Sequence, residues 1–144
     1  MAPRASTKRT LMNTTLSPED EELLSAARSV REHAYAPYSQ YAVGAALDAG
    51  DGNTYLGVNV ENASYGLTLC AERSAVASAV AAGSRRFDAI AIAGPDGTLC
   101  SPCGACRQVL AEFNPELVVI FTTPDGPVRT TLSELLPHSF GPFV

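Results

Sequence analysis

Cys70, Cys103 and Cys106 can offer three thiolates to one metal ion, and Glu72 stands two residues beyond the first of them. Three sulfur ligands leave the fourth position of a tetrahedral zinc ion open to water. A carboxylate within reach of that water can move its protons. Such a layout is hydrolytic rather than structural. Cys70-Ala71-Glu72 opens one expected helix, and Pro102-Cys103-Gly104-Ala105-Cys106 opens another. Free N–H groups and the positive dipole end at two helix starts offset part of the negative charge of three thiolates on one dication. Arg73 is a further counter-charge that tunes the metal. The same excess charge makes zinc a weaker acid toward its water than three histidines would. The water therefore needs a base, and Glu72 is placed to be one.

Cys100 is the fourth cysteine. Cys100, Cys103 and Cys106 make a Cys-x-x-Cys-x-x-Cys run, a spacing also used for iron–sulfur ligation. A closed four-cysteine zinc site that includes Cys70 is a second alternative. Cys100 precedes Ser101-Pro102, at a strand end or in a loop, and is expected to be a small semi-buried residue rather than a ligand. His33 and His138 lie far from both clusters and are expected at the surface.

The elements that must carry these residues follow from pattern. Ser17 caps a helix with Pro18 in its first turn, and Leu23, Leu24, Ala27, Val30 and Ala34 recur at helical spacing until Pro37. Residues 42–49 read as a strand, Gly50-Asp51-Gly52-Asn53 as a hairpin turn, and 54–60 as the returning strand. A buried helix over 70–82 ends at Gly83. Residues 87–93 and 117–122 are continuous apolar runs, hence central strands, on either side of a second buried helix over 103–113. Pro124-Asp125-Gly126-Pro127 leads into an edge strand, and 131–136 make a last helical turn. The order implies an α/β fold, one mixed sheet with helices on both faces.

The 144 residues suit one domain, 16–144, behind a tail over 1–15 that is expected to be disordered. The low charged fraction, 17%, leaves little polar surface for a lone monomer and hints at buried subunit interfaces. The net charge of −5, with no basic cluster, argues against nucleic acid. No apolar run approaches a membrane span, and the start lacks the apolar stretch of a secretory signal. A reducing, cytoplasmic compartment is expected, where cysteines serve metals or catalysis rather than disulfides.

Several separated segments carry a family resemblance: Pro37-Tyr38-Ser39, Val43-Gly44-Ala45-Ala46, Asn59-Val60-Glu61-Asn62-Ala63-Ser64-Tyr65-Gly66, Cys70-Ala71-Glu72-Arg73 and Ser101-Pro102-Cys103-Gly104-Ala105-Cys106-Arg107-Gln108. On these the chain resembles the cytidine deaminase family, in its small, three-cysteine, homotetrameric branch, from about Pro37 to Phe140. The resemblance implies a three-layer α/β/α sandwich on a five-stranded mixed sheet. It implies one Zn²⁺ per chain on Cys70, Cys103 and Cys106, and hydrolysis of cytidine and 2′-deoxycytidine to the uracil nucleosides and ammonia, in pyrimidine salvage. Water activated at zinc adds at C4 while Glu72 moves protons between the water, ring N3 and the leaving amine. Backbone groups at Cys70 and Ala71 would read the pyrimidine edge, and Asn59 and Glu61 the sugar. Ala63 and Tyr65 match residues that reach a neighbouring subunit's nucleoside, and Phe140 an aromatic that stacks on its base. In one departure, Tyr41 stands where the family usually has phenylalanine as a wall of the base pocket; its hydroxyl needs a partner when buried.

Two other readings stay open on sequence. One is a deaminase of a modified cytosine nucleoside. The other is a non-catalytic interaction domain stapled by a four-cysteine zinc or an iron–sulfur centre.

Overall fold

The computed structural model describes residues 15–144. The expected tail falls almost wholly on 1–14, outside the described residues. Helix α1 (Pro18–Val30) starts with a capping box: the Ser17 hydroxyl accepts from the Asp20 N–H at 3.1 Å, and the Asp20 carboxylate accepts from the Ser17 N–H at 3.1 Å. The α-helix ends at Val30, earlier than the apolar spacing suggests. A 3-10 turn, Arg31–His33, follows it. Tyr35 is already extended, its N–H donating to the Asn59 carbonyl at 3.0 Å.

Strands β1 (Gly44–Asp48) and β2 (Thr54–Val58) form the expected antiparallel hairpin. Strand β2 stops at Val58, two residues early. The Asn59 side chain turns inward there, and Val60 pairs with Leu69 instead. Helix α2 (Ala71–Ala81) follows, then β3 (Ala89–Ala93), α3 (Gly104–Phe113), β4 (Val118–Thr123), β5 (Gly126–Thr131) and α4 (Leu132–Leu135).

The sheet order is β2-β1-β3-β4-β5, with β3 and β4 parallel and every other pair antiparallel. Side chains alternate across it with period two. Ala46, Ala91, Ala93 and Ile120 face Leu23, Leu24 and Ala27 of α1. Leu47, Ile90, Ile92, Val119 and Phe121 face the other way, toward Ala75 and Ala79 of α2 and Leu110 of α3. This is the three-layer sandwich. Burying Leu24 alone contributes about 1.5–3 kcal/mol. The alanine-rich face of α2 lets it lie close on the sheet. At Gly57 of β2 a Cβ would strike the Ala71 carbonyl and the Ala75 nitrogen, so only glycine admits this approach. Among the described residues, no helix is long and apolar enough to cross a membrane.

Candidate active site

Cys70 is the N-cap of α2 and Cys103 the N-cap of α3, each with extended backbone. Cys106 follows one turn into α3 and is fully buried. The loop ending β3 and the segment after β2 bring both helix starts to one end of the sheet. The three sulfurs lie within 4.8 Å of one another, with Cys70 and Cys103 4.0 Å apart. A tetrahedral zinc with Zn–S bonds of about 2.3 Å needs sulfurs about 3.8 Å apart, so a small contraction closes the site.

The surroundings of Cys70 already favour its thiolate. A hydrogen bond from the Cys106 thiol and the neighbouring Arg73 guanidinium pull the Cys70 thiol down to about 5. Cys106 moves the other way, held as the protonated donor to that thiolate. Arg73 Nη2 donates to the Cys70 sulfur at 3.2 Å. Arg73 Nε is buried with no hydrogen-bond partner among the described residues. Deprotonated Cys106, the other sulfur that favours the charged guanidinium, would supply an anionic acceptor. Three soft donors, two helix N-termini and an orphaned guanidinium N–H fit a zinc ion.

Glu72 sits in the first turn of α2 and is only 4% exposed. Burial pushes its carboxyl above the usual range, against a lowering contact with Cys106. A carboxyl shifted upward in this way, beside three sulfurs that could hold a metal, suits proton transfer.

Cys100 does not join the sulfur group among the described residues. It is buried in the β3–α3 loop, its N–H donating to the Thr122 carbonyl at 2.9 Å, and burial pushes its thiol up to about 11. The four-cysteine alternatives therefore lose their fourth ligand. His33 and His138 are exposed, as expected.

Beside the sulfurs opens a cavity of about 400 Å³ whose lining includes Cys70, Ala71, Glu72 and Cys103 together with Tyr41, Asn59 and Glu61. Asn59 is buried: its carbonyl accepts from the Val43 N–H at 2.9 Å, and its amide donates to the Tyr41 carbonyl at 2.8 Å. One amide N–H is left for a ligand. Glu61 accepts from the Tyr38 and Ser39 N–H groups at 2.9 and 3.1 Å, and the Ser39 side chain, together with these bonds, holds its carboxyl below the ordinary range. It is an anionic acceptor with one oxygen free of those two bonds. Ala63, Tyr65 and Phe140 are exposed and do not line this cavity. Tyr65 lines an adjoining one with Tyr38, Ser39, Glu61 and Thr68.

Sequence reasoning assigned no site role to Ser39, Val43, Thr68, Leu99 and Ser101, which also line the main cavity. Ser39, Val43 and Ser101 lie inside the motif segments, which could have pointed to them, and Leu99 lies close to Pro102-Cys103. It also missed Arg107, whose guanidinium donates to the Pro102 carbonyl at 2.7 Å and the Leu135 carbonyl at 2.8 Å. That residue holds the turn that presents Cys103.

The family model for the cytidine and deoxycytidylate deaminase zinc-binding region matches residues 17–122. The chain is 48% identical over 122 residues to a cytidine deaminase of Sporosarcina psychrophila, which covers 83% of this chain and 90% of that relative. Among solved structures it is similar to a cytidine deaminase from Burkholderia pseudomallei, with 50% identity, a TM-score of 0.79 and coverage of 83% of this chain and 98% of that one. A cytidine deaminase from Mycobacterium tuberculosis matches at 42% identity and a TM-score of 0.75, covering 85% and 97% of the two chains. By its motifs, its sheet and the extent of these matches, this chain belongs to the cytidine deaminase family with its zinc-binding region.

Proposed function

We propose that this chain hydrolyses cytidine and 2′-deoxycytidine to uridine and 2′-deoxyuridine, releasing ammonia. The observation that carries the reading is a buried carboxyl, Glu72, beside three clustered cysteines, with Glu72, Cys70 and Cys103 lining a nucleoside-sized cavity. Relatives at 48–50% identity bear the name cytidine deaminase.

Cys70, Cys103 and Cys106 would hold the zinc ion, which when bound supplies the Lewis acidity that activates a water. Glu72 takes a proton from that water and delivers it to N3 of the cytosine ring, which makes C4 electrophilic. It then carries a second proton to the amine, which leaves as ammonia. Water supplies the oxygen that C4 retains, so atoms balance without another reactant. Burial of Glu72 keeps the carboxyl close to its proton and excludes competing water. Arg73 offsets the thiolate charge. Backbone groups of Cys70 and Ala71 read the pyrimidine edge, the Tyr41 ring walls the base, and Asn59 and Glu61 bind the sugar hydroxyls.

The substrate is a free nucleoside. Among the described residues the cavity lining contains no lysine, arginine or histidine to meet a phosphate, and its two carboxyl groups, Glu61 and Glu72, oppose one. A homotetramer with shared sites accounts for Ala63, Tyr65 and Phe140: Tyr65 and Phe140 are each 75% exposed, free to reach a neighbour's nucleoside. A cytoplasmic place in pyrimidine salvage accords with the reaction and with four unpaired cysteines.

The test follows absorbance of cytidine and deoxycytidine with the purified full chain, with zinc analysis of the same sample. Conversion of both to the uracil product, with one zinc per chain, is expected. No conversion at full zinc occupancy would overturn the substrate assignment.

A further inference from the structure

The loop between β3 and α3 delivers Cys103 and contributes Leu99, Cys100 and Ser101 to the cavity wall. Both flanks of the loop are tied to the body of the protein. The Gly94 N–H donates to the Thr122 hydroxyl at 3.1 Å, the Gly94 carbonyl accepts from the Arg31 guanidinium, and the Cys100 N–H donates to the Thr122 carbonyl at 2.9 Å. Between these ties the loop is open to solvent: Asp96 and Gly97 are exposed, and Leu99 is 60% exposed. The hydrogen bonds that reach residues 95–99 from elsewhere in the described chain come from one side chain, Tyr41.

The Tyr41 hydroxyl lies 3.0 Å from the Thr98 hydroxyl and 3.0 Å from the Leu99 carbonyl. Thr98 gives its own proton to the Pro95 carbonyl at 2.6 Å. Tyr41 is therefore the donor in both of its contacts, sharing one proton between two acceptors. No proton is left over for a ligand. Packing supports the same contact from below: a Cβ on Gly94 would come within 2.8 Å of the Tyr41 hydroxyl and 2.9 Å of the Cys100 sulfur, which leaves no room for any other residue there.

We propose that the Tyr41 hydroxyl is a latch, a positioning group that holds the outer part of the β3–α3 loop closed and so fixes the Leu99–Ser101 wall that faces the substrate. The loop has few buried apolar contacts of its own, and segments of that kind open locally unless something pins them. Where the substrate is concerned, the latch rests on the deaminase reading given above. The same ring that walls the base would thus set the position of the adjoining wall.

The experiment uses the zinc-loaded full chain and its Tyr41→Phe and Thr98→Val variants. Hydrogen exchange is followed by mass spectrometry over residues 94–103, and KM and kcat are measured with cytidine. Tyr41→Phe keeps the ring and removes only the latch. Its protection at 98–101 is expected to fall about three- to tenfold, and KM to rise by about the same factor, with kcat altered less than about twofold. Zinc stays at one per chain. Thr98→Val, which leaves the Leu99 carbonyl as acceptor, gives a smaller change. Because Thr98→Val also removes the Thr98–Pro95 hydrogen bond, the double variant is looser than Tyr41→Phe, but by less than the sum of the two single changes. Unchanged exchange at 98–101 in Tyr41→Phe would overturn the latch, as would uniform loosening of the whole chain. If the wild type failed to turn over cytidine, the deaminase reading would fall, while the exchange comparison would still decide the latch.

Discussion

The guanidinium of Arg73 donates to the Cys70 sulfur at 3.2 Å, one turn along the helix that Cys70 caps. It places a fixed positive charge against a ligand sulfur that two helix N-termini already favour as thiolate. Groups that hold a metal ligand in this way tune affinity as well as orientation. Arg73→Gln should weaken zinc binding roughly 10–100-fold without unfolding the chain. Competition with a chromophoric chelator measures this directly. An unchanged zinc affinity would show that the contact is packing only.

Cys100 is three residues from Cys103 in sequence yet belongs to the wall, not to the sulfur cluster. Cys100→Ser should keep one zinc per chain, and loss of metal would return it to the ligand set. Its chemistry with thiol reagents follows from burial. A thiol raised to about 11 stays protonated as pH climbs through 8, and the thiolate is the reactive form. Native zinc-loaded protein should therefore leave Cys100 unmodified by a disulfide reagent at pH 8, while all four cysteines react after unfolding with chelator.

Phe140 is 75% exposed, its carbonyl anchored by the Gln108 amide at 2.8 Å and its ring set against Phe143 at 5.0 Å between centroids. In the shared-site reading proposed above, this exposed ring serves a neighbour's nucleoside. Phe140→Ala should raise KM for cytidine about two- to tenfold, the worth of an aromatic stack. Its elution volume on size exclusion should match the wild type. An unchanged KM would assign the ring to tail packing.

The metal centre was legible because its chemistry and its local structure coincide. Pro102-Cys103 and Cys70-Ala71-Glu72 are at once helix starts and ligand sets, so spacing alone put three sulfurs and a carboxyl at two helix N-termini. The layers were legible for a similar reason, since β3 and β4 are apolar on both faces and α2 is small and apolar. The end of β2 was not. Asn59 interrupts the strand by binding the Val43 N–H and Tyr41 carbonyl through its side chain, a contact between segments 16 and 18 residues apart. Nor was the partner of the Tyr41 hydroxyl, because Thr98 and Leu99 lie 57 and 58 residues away and meet it only through the sheet. The α-helical spacing of Val30 and Ala34 was misleading at the end of α1. There, pairing of Tyr35 with the segment after β2 outweighs one more helical turn.

The central claim is that Glu72 moves protons for a zinc-activated water, and the direct measurement pairs zinc content with cytidine turnover in Glu72→Gln. The substitution keeps the size of the side chain and its place in the first turn of α2, but it removes the group that accepts and returns a proton. One zinc per chain, an unchanged fold and a rate reduced by about 10²–10⁴-fold or more are the predicted results. A zinc-loaded Glu72→Gln protein turning over near the wild-type rate would contradict the account.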